Sequence, residues 1–119
     1  MNELSIKLKW DLSNKEFTPG NYSVDHIIGV NNDIRIPSSS ASEYGGNHKN
    51  LNPEQCLAAA ISSCHMMTFL SLAAKMRWPV LSYTDQAIAF LGKNSKGKMS
   101  VHKIELNPKI TFNDNFEVS

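Results

Sequence analysis

An α+β fold follows from three observations. The N-terminal third alternates apolar and polar residues in the β manner, a single long run free of glycine and proline occupies the middle, and β-type pattern returns after Pro79. The order predicted is three strands, one long helix, then at least two strands.

The first strand rests on Leu4, Ile6, Leu8 and Trp10 alternating with Ser5, Lys7, Lys9 and Asp11, the signature of a half-buried strand. Thr18-Pro19-Gly20-Asn21 is a turn signal, and Tyr22 to Val30 supplies a second strand. Asn31-Asn32-Asp33 turns into a third, Ile34-Arg35-Ile36, and a polar loop rich in Ser, Gly and Asn runs from Ser38 to Asn50.

The helix has a well-marked start. Asn52 is a favourable N-cap, Pro53 fits the first helical position where its missing N–H costs nothing, and Glu54 suits the positive end of the dipole. From Gln55 to Met76 neither Gly nor Pro interrupts, and Ala, Leu and Met dominate. Lys75 and Arg77 lie at the C-terminal end, where Arg77 reads as a solvated cation, and Pro79 stops the helix. Ser62, Ser63, His65, Thr68 and Ser71 break its apolar run well short of the roughly 20 residues a bilayer needs, so no membrane span is expected. A helix apolar nearly all round must be buried by protein on most sides, and a chain of 119 residues has little material for that. A partner subunit is therefore expected.

After Pro79, Leu81 to Leu91 reads as one strand, and Gly92-Lys93-Asn94-Ser95-Lys96-Gly97 as a turn with a solvated basic tip. Met99 to Phe112 reads as the last strand, with Ile104, Leu106, Ile110 and Phe112 on one face.

Composition places these elements in one soluble domain, 1–119. Twelve basic against eleven acidic side chains leave a net charge of +1, which gives no electrostatic footprint for nucleic acid or an anionic membrane. No secretory pattern opens the chain, and with two cysteines a reduced, cytoplasmic setting is expected. The four histidines are scattered, no Cys-x-x-Cys pair or zinc-ligand spacing occurs, and no cofactor or metal is implied.

The residue that carries chemistry is Cys64, in the middle of the helix. Read from the residues alone it is either an inert core thiol, free cysteine being among the most buried residue types, or a nucleophile held in a dry pocket. On a helix it shares its face with Leu57, Ala60, Ile61, Met67 and Thr68. That face is apolar and mostly small, a bed for an alkyl or aryl group. Cys56 lies eight residues away, roughly 12 Å of helical rise, beyond the Cα separation of at most about 7 Å that a disulfide allows. It reads as a packing residue.

Asn52-Pro53-Glu54-Gln55, the ten-residue spacing from Glu54 to Cys64, and Ser63-Cys64-His65-Met66 resemble the OsmC/Ohr family of osmotically inducible and organic hydroperoxide resistance proteins. Ser42-Glu43-Tyr44-Gly45-Gly46 before the motif and Tyr83-Thr84-Asp85-Gln86-Ala87 after it fit as well, and the nearest likeness is to the OsmC-like subgroup. The resemblance implies an OsmC-like fold, with antiparallel strands wrapped around a long central helix in an intertwined homodimer and the sites at the subunit interface. It implies a thiol-dependent peroxidase, an oxidative-stress role and Cys64 as the nucleophile, with Glu54 as the second catalytic residue. The partners are then a second copy, a small organic hydroperoxide and a thiol reductant. The alternative is a non-catalytic OsmC-like dimer that binds a small apolar ligand or serves a structural, stress-related role.

Two departures from the family pattern bear on that choice. Ten residues of helix span roughly 15 Å, so Glu54 reaches Cys64 only through an intermediary, which in the family is an arginine from the N-terminal strands. Val24 stands where that arginine is expected, leaving Arg35, which otherwise reads as an exposed strand charge, and His26, oriented by the adjacent Asp25, as candidate cations. The family's second cysteine lies on a later helix, and this chain stops at Ser119 before one: either the chain is a shortened form or fragment, or an external thiol must reduce the sulfenic acid.

Overall fold

The computed structural model describes residues 3–12 and 16–113; the opening Met1-Asn2 and the chain end at Ser119, used above, lie outside the described residues. The elements are β1 (Ile6–Lys9), β2 (His26–Val30), β3 (Ile34–Ser38), a 3-10 turn (Ser42–Tyr44), α1 (Pro53–Lys75), β4 (Val80–Asp85), β5 (Ile88–Lys93), β6 (Met99–Glu105) and β7 (Pro108–Phe112). The fold is α+β, as predicted. The chain divides into two compact units, Met1–Pro53 and Glu54–Ser119.

The first unit holds an antiparallel sheet in the order β1-β2-β3. Its register puts Ile6, Val30 and Ile34 in one cross-strand row and Leu8, Ile28 and Ile36 in another row of the same face. The alternation seen in the sequence is therefore real, but β1 is not half-buried: Ile6 is 54% and Leu8 64% exposed. Strand β2 begins at His26 rather than Tyr22, because the Ser23 side chain takes up the amide of Asp25 in a local turn while the Ser23 carbonyl accepts the Trp10 indole N–H at 2.8 Å.

The loop after β3 is pinned from within. Ser39 is fully buried and donates to Asp25 Oδ1 at 2.7 Å, while its own oxygen accepts the Asn47 amide at 3.0 Å. Gly46 passes so close to the Ser40 backbone that a Cβ would overlap the Ser40 carbonyl.

In the second unit α1 runs 23 residues and ends in a Schellman turn. The Trp78 amide reaches the Ala73 carbonyl at 2.8 Å and the Arg77 amide reaches the Ala74 carbonyl at 3.1 Å, with Arg77 left-handed at φ 61°. By length and composition alone α1 is apolar enough to cross a membrane, a test that the central helix of a soluble protein also meets. Only Ala58 and Ala73 along it are buried.

Beyond the helix two expectations are corrected. The strand expected over 81–91 is two strands, β4 and β5, and that over 99–112 is also two, β6 and β7, pairing as β4-β7 and β5-β6. Both breaks fall at one corner. Asp85 Oδ1 accepts the Asn107 amide at 2.6 Å, and the Asn107 side chain donates to the Gln86 carbonyl at 3.1 Å, so the two segments turn together. Ile110 and Phe112 share the half-buried face of β7 as expected, whereas Leu106 belongs to the corner.

Candidate functional site

The helix is held to β4 along one stripe. Ser62 donates to Asp85 Oδ2 at 2.5 Å, His65 Nδ1 lies 3.1 Å from the Tyr83 hydroxyl, and Phe69 meets the Tyr83 ring at a centroid distance of 5.9 Å. Positions 62, 65 and 69 follow the helical period, so they form one face, and buried Ala58 and Ala73 belong to it.

Cys64 lies on the other side. At about 100° per residue it is turned roughly 160° from Ser62 and 140° from Phe69. The thiol is free and exposed, so within the chain it is neither a core cysteine nor enclosed in a dry pocket. Leu57, Ile61, Met67 and Leu72 are exposed beside it, so the apolar bed expected around the thiol exists but is open. Its neighbours one turn away, Ala60, Ile61, Met67 and Thr68, supply no cation.

Glu54 sits in the first turn of α1, half-buried, roughly 15 Å along the helix from Cys64. Its Oε2 is buried and has no hydrogen-bond partner among the described residues. A buried carboxylate oxygen without a donor is costly, so this atom marks a place where a donor is due. Cys56 is a free, half-buried thiol on the same helix, eight residues from Cys64, and forms no bridge.

Each cation named from the sequence is placed within its own unit. Arg77 is built into the helix C-terminus, thirteen residues beyond Cys64. Arg35 sits opposite Gly29 on the face of the first sheet that bears Lys7, away from Ile6, Ile28, Ile34 and Ile36. His26 is half-buried, with Nδ1 2.8 Å from the Val24 carbonyl; Asp25 does not orient it, because its carboxylate is engaged by Ser39. The polar anchors Ser62, His65, Tyr83 and Asp85 were not assigned from the sequence. Their signal was the i, i+3 spacing of Ser62 and His65, the polar interruptions of an apolar helix, matched by Tyr83 and Asp85 two apart on one face of a strand. No group of three or more metal-ligating side chains occurs among the described residues.

Residues 46–118 match the family model described as OsmC-like protein. The fold is similar to that of an OsmC-like protein of unknown function from Vibrio cholerae O1 biovar eltor, with a TM-score of 0.90 and 39% sequence identity over 100% of this chain and 80% of that one. No functionally curated protein matches the chain.

Proposed function

The chain belongs to the OsmC-like family, and on that premise we propose that it is a homodimeric thiol peroxidase that reduces organic hydroperoxides through Cys64. The observation that carries this reading is the position of the thiol: exposed, mid-helix, on the apolar face that β4 leaves free. A second copy over that face would turn an open apolar surface into the dry bed an alkyl or aryl hydroperoxide requires.

The chemistry is direct. The Cys64 thiolate attacks the distal peroxide oxygen, the O–O bond breaks, and the departing alkoxide takes a proton and leaves as alcohol. The sulfur is oxidised to a sulfenic acid and the hydroperoxide is reduced by the same two electrons. One molecule of external thiol then displaces water to give a mixed disulfide, and a second frees Cys64 as the thiol. Cys56 takes no part within the chain, since the two thiols stand roughly 12 Å apart along one helix. The thiolate and the unpartnered Glu54 oxygen both call for a donor from outside α1, which the second copy supplies in this reading.

The reading is tested by mixing the reduced protein with cumene hydroperoxide and following peroxide loss and thiol titre. Thiol is consumed at Cys64, a sulfenic-acid trap labels that residue, and Cys64→Ser is inert. Equal peroxide loss from both proteins would sink the proposal. A non-catalytic dimer is the second reading, favoured by Val24 standing where the family's arginine is expected; it predicts an intact dimer with no rate above that of free cysteine.

A further inference from the structure

The three-stranded sheet sorts its side chains by charge as well as polarity. Opposite the face of isoleucines, Lys7, Gly29 and Arg35 stand side by side in one cross-strand row, and Lys9, Ile27 and Pro37 in the next. With strands about 4.8 Å apart, the two cations of the first row rise roughly 10 Å from each other across a residue with no side chain. The result is a groove of about 280 Å³ walled by Lys7, Lys9 and Arg35 and floored by Gly29 and Ile27. Past Lys9, Ile27 and Arg35 it opens into a second hollow of about 410 Å³.

Gly29 is the informative residue. A glycine inside a strand weakens the sheet, and it is accounted for by a bulge, a bend or the close approach of something else. The ladder runs through Gly29 with no shift in register on either side. A Cβ there would meet nothing nearer than the Lys7 carbonyl oxygen at 3.8 Å and the Lys7 Cβ at 3.9 Å, ordinary contacts. Neither the backbone nor packing within the sheet requires the glycine. What it provides is depth between two cations.

The charges are available. Among the described residues neither Lys7 nor Arg35 has an ion-pair partner, and Lys9 makes only a loose, strongly exposed contact of 3.9 Å with Asp11. Asp11 and Asp25 border the hollow at the far end, so an anion is favoured beside Lys7 and Arg35 and disfavoured there. Ile27 and Pro37 give an apolar strip between the two ends.

We propose that this groove binds a medium-chain organic carboxylate, its carboxyl group between Lys7 and Arg35 and its alkyl chain over Gly29 and Ile27. An inorganic anion leaves the apolar floor unused, and a neutral alcohol leaves the cations unused. A bilayer of anionic lipid touches the cation tips without entering the glycine notch. The site is built from first-unit residues alone, and the proposal does not rest on the peroxidase reading.

The test is a titration of decanoate into the full chain, followed by amide shifts in β1, β2 and β3. The expected result is a saturable shift in these strands. Lys7→Glu and Arg35→Glu should each weaken binding about fivefold or more, since each loses a charge pair near the surface, worth up to about fivefold, and adds a repulsion. Gly29→Val, which fills the notch, should weaken it about tenfold or more, while Cys64→Ser leaves it unchanged. If Gly29→Val does not fold by circular dichroism, the Lys7→Glu/Arg35→Glu double variant decides in its place. The proposal is overturned if decanoate gives no saturable shift in these strands or if the charge-reversed variants bind as the wild type does. It is also overturned if decanol or inorganic phosphate binds as well as decanoate, or if phosphatidylglycerol vesicles alone engage this face.

Discussion

Replacing Ile61 by glutamate tests whether the open face of α1 is an interface. Ile61 lies one turn from Cys64 and is 40% exposed, on the side of the helix that β4 does not reach. Fully burying an isoleucine stabilises by about 2.5 kcal/mol, so covering the remaining 40% contributes about 1 kcal/mol per copy and about 2 kcal/mol in a two-fold dimer. An ionised glutamate there loses that term and adds a desolvated charge without a partner, a penalty of several kcal/mol per copy. The sum exceeds about 5 kcal/mol, or more than about a thousandfold in the dimer dissociation constant. Sedimentation velocity across micromolar concentrations reads it directly: the wild type sediments as a dimer, Ile61→Glu as a monomer. Lys96→Glu, at the exposed β5–β6 turn, serves as the charge control and stays dimeric. A wild type that is monomeric throughout, or an Ile61→Glu protein as dimeric as the control, would refute the reasoning.

Three further substitutions test the local architecture. Asp85→Ala removes the acceptor for both the Ser62 hydroxyl and the Asn107 amide, and urea unfolding should show a loss of about 2–3 kcal/mol. Gly46→Ala drives a methyl group into the Ser40 backbone; a thermal melt should show destabilisation of about 1–3 kcal/mol, the range for overpacking. Arg77→Gly relieves a left-handed residue at the position after the helix where glycine is preferred, and should raise stability by about 0.5–1 kcal/mol in the same melt. An unchanged or lowered melting temperature in that last variant would show that the Arg77 side chain makes a compensating contact.

The helix was legible because its signals are local. Pro53 at its first position, the uninterrupted 55–76 run and Pro79 beyond its end act through backbone geometry within a few residues, and α1 spans Pro53–Lys75. The strand breaks at 86–87 and 106–107 were not, because each depends on the other: Asp85 and Asn107 fix a corner that neither segment specifies alone. Pro108 was the available clue, since the residue before a proline is restricted and a proline inside a run marks its edge. The candidate site was legible in residue type and less so in environment. Periodicity placed Cys64 on an apolar face, but periodicity records which residues want cover and not which chain provides it.

That distinction changes how the polar residues of α1 are understood. From the sequence, Ser62, Ser63, His65, Thr68 and Ser71 are interruptions that weigh against a membrane span, and all carry the same weight. In the structure four of them fall into two classes. Ser62 and His65 bond to β4 side chains and fix the rotation of the helix about its axis. Once that rotation is fixed, Cys64 must point away from β4, together with Ile61 and Met67. Thr68 and Ser71 share the open side with the thiol, and their hydroxyls can donate across an interface at little desolvation cost. The placement of the Cys64 thiol thus follows from two hydrogen-bonded side chains on the opposite face. A Ser62→Ala/His65→Ala double variant should slow Cys64 alkylation or peroxide reaction in the dimer while leaving Cys64 itself intact. If the double variant reacts at the wild-type rate, the β4 stripe is an anchor for stability alone.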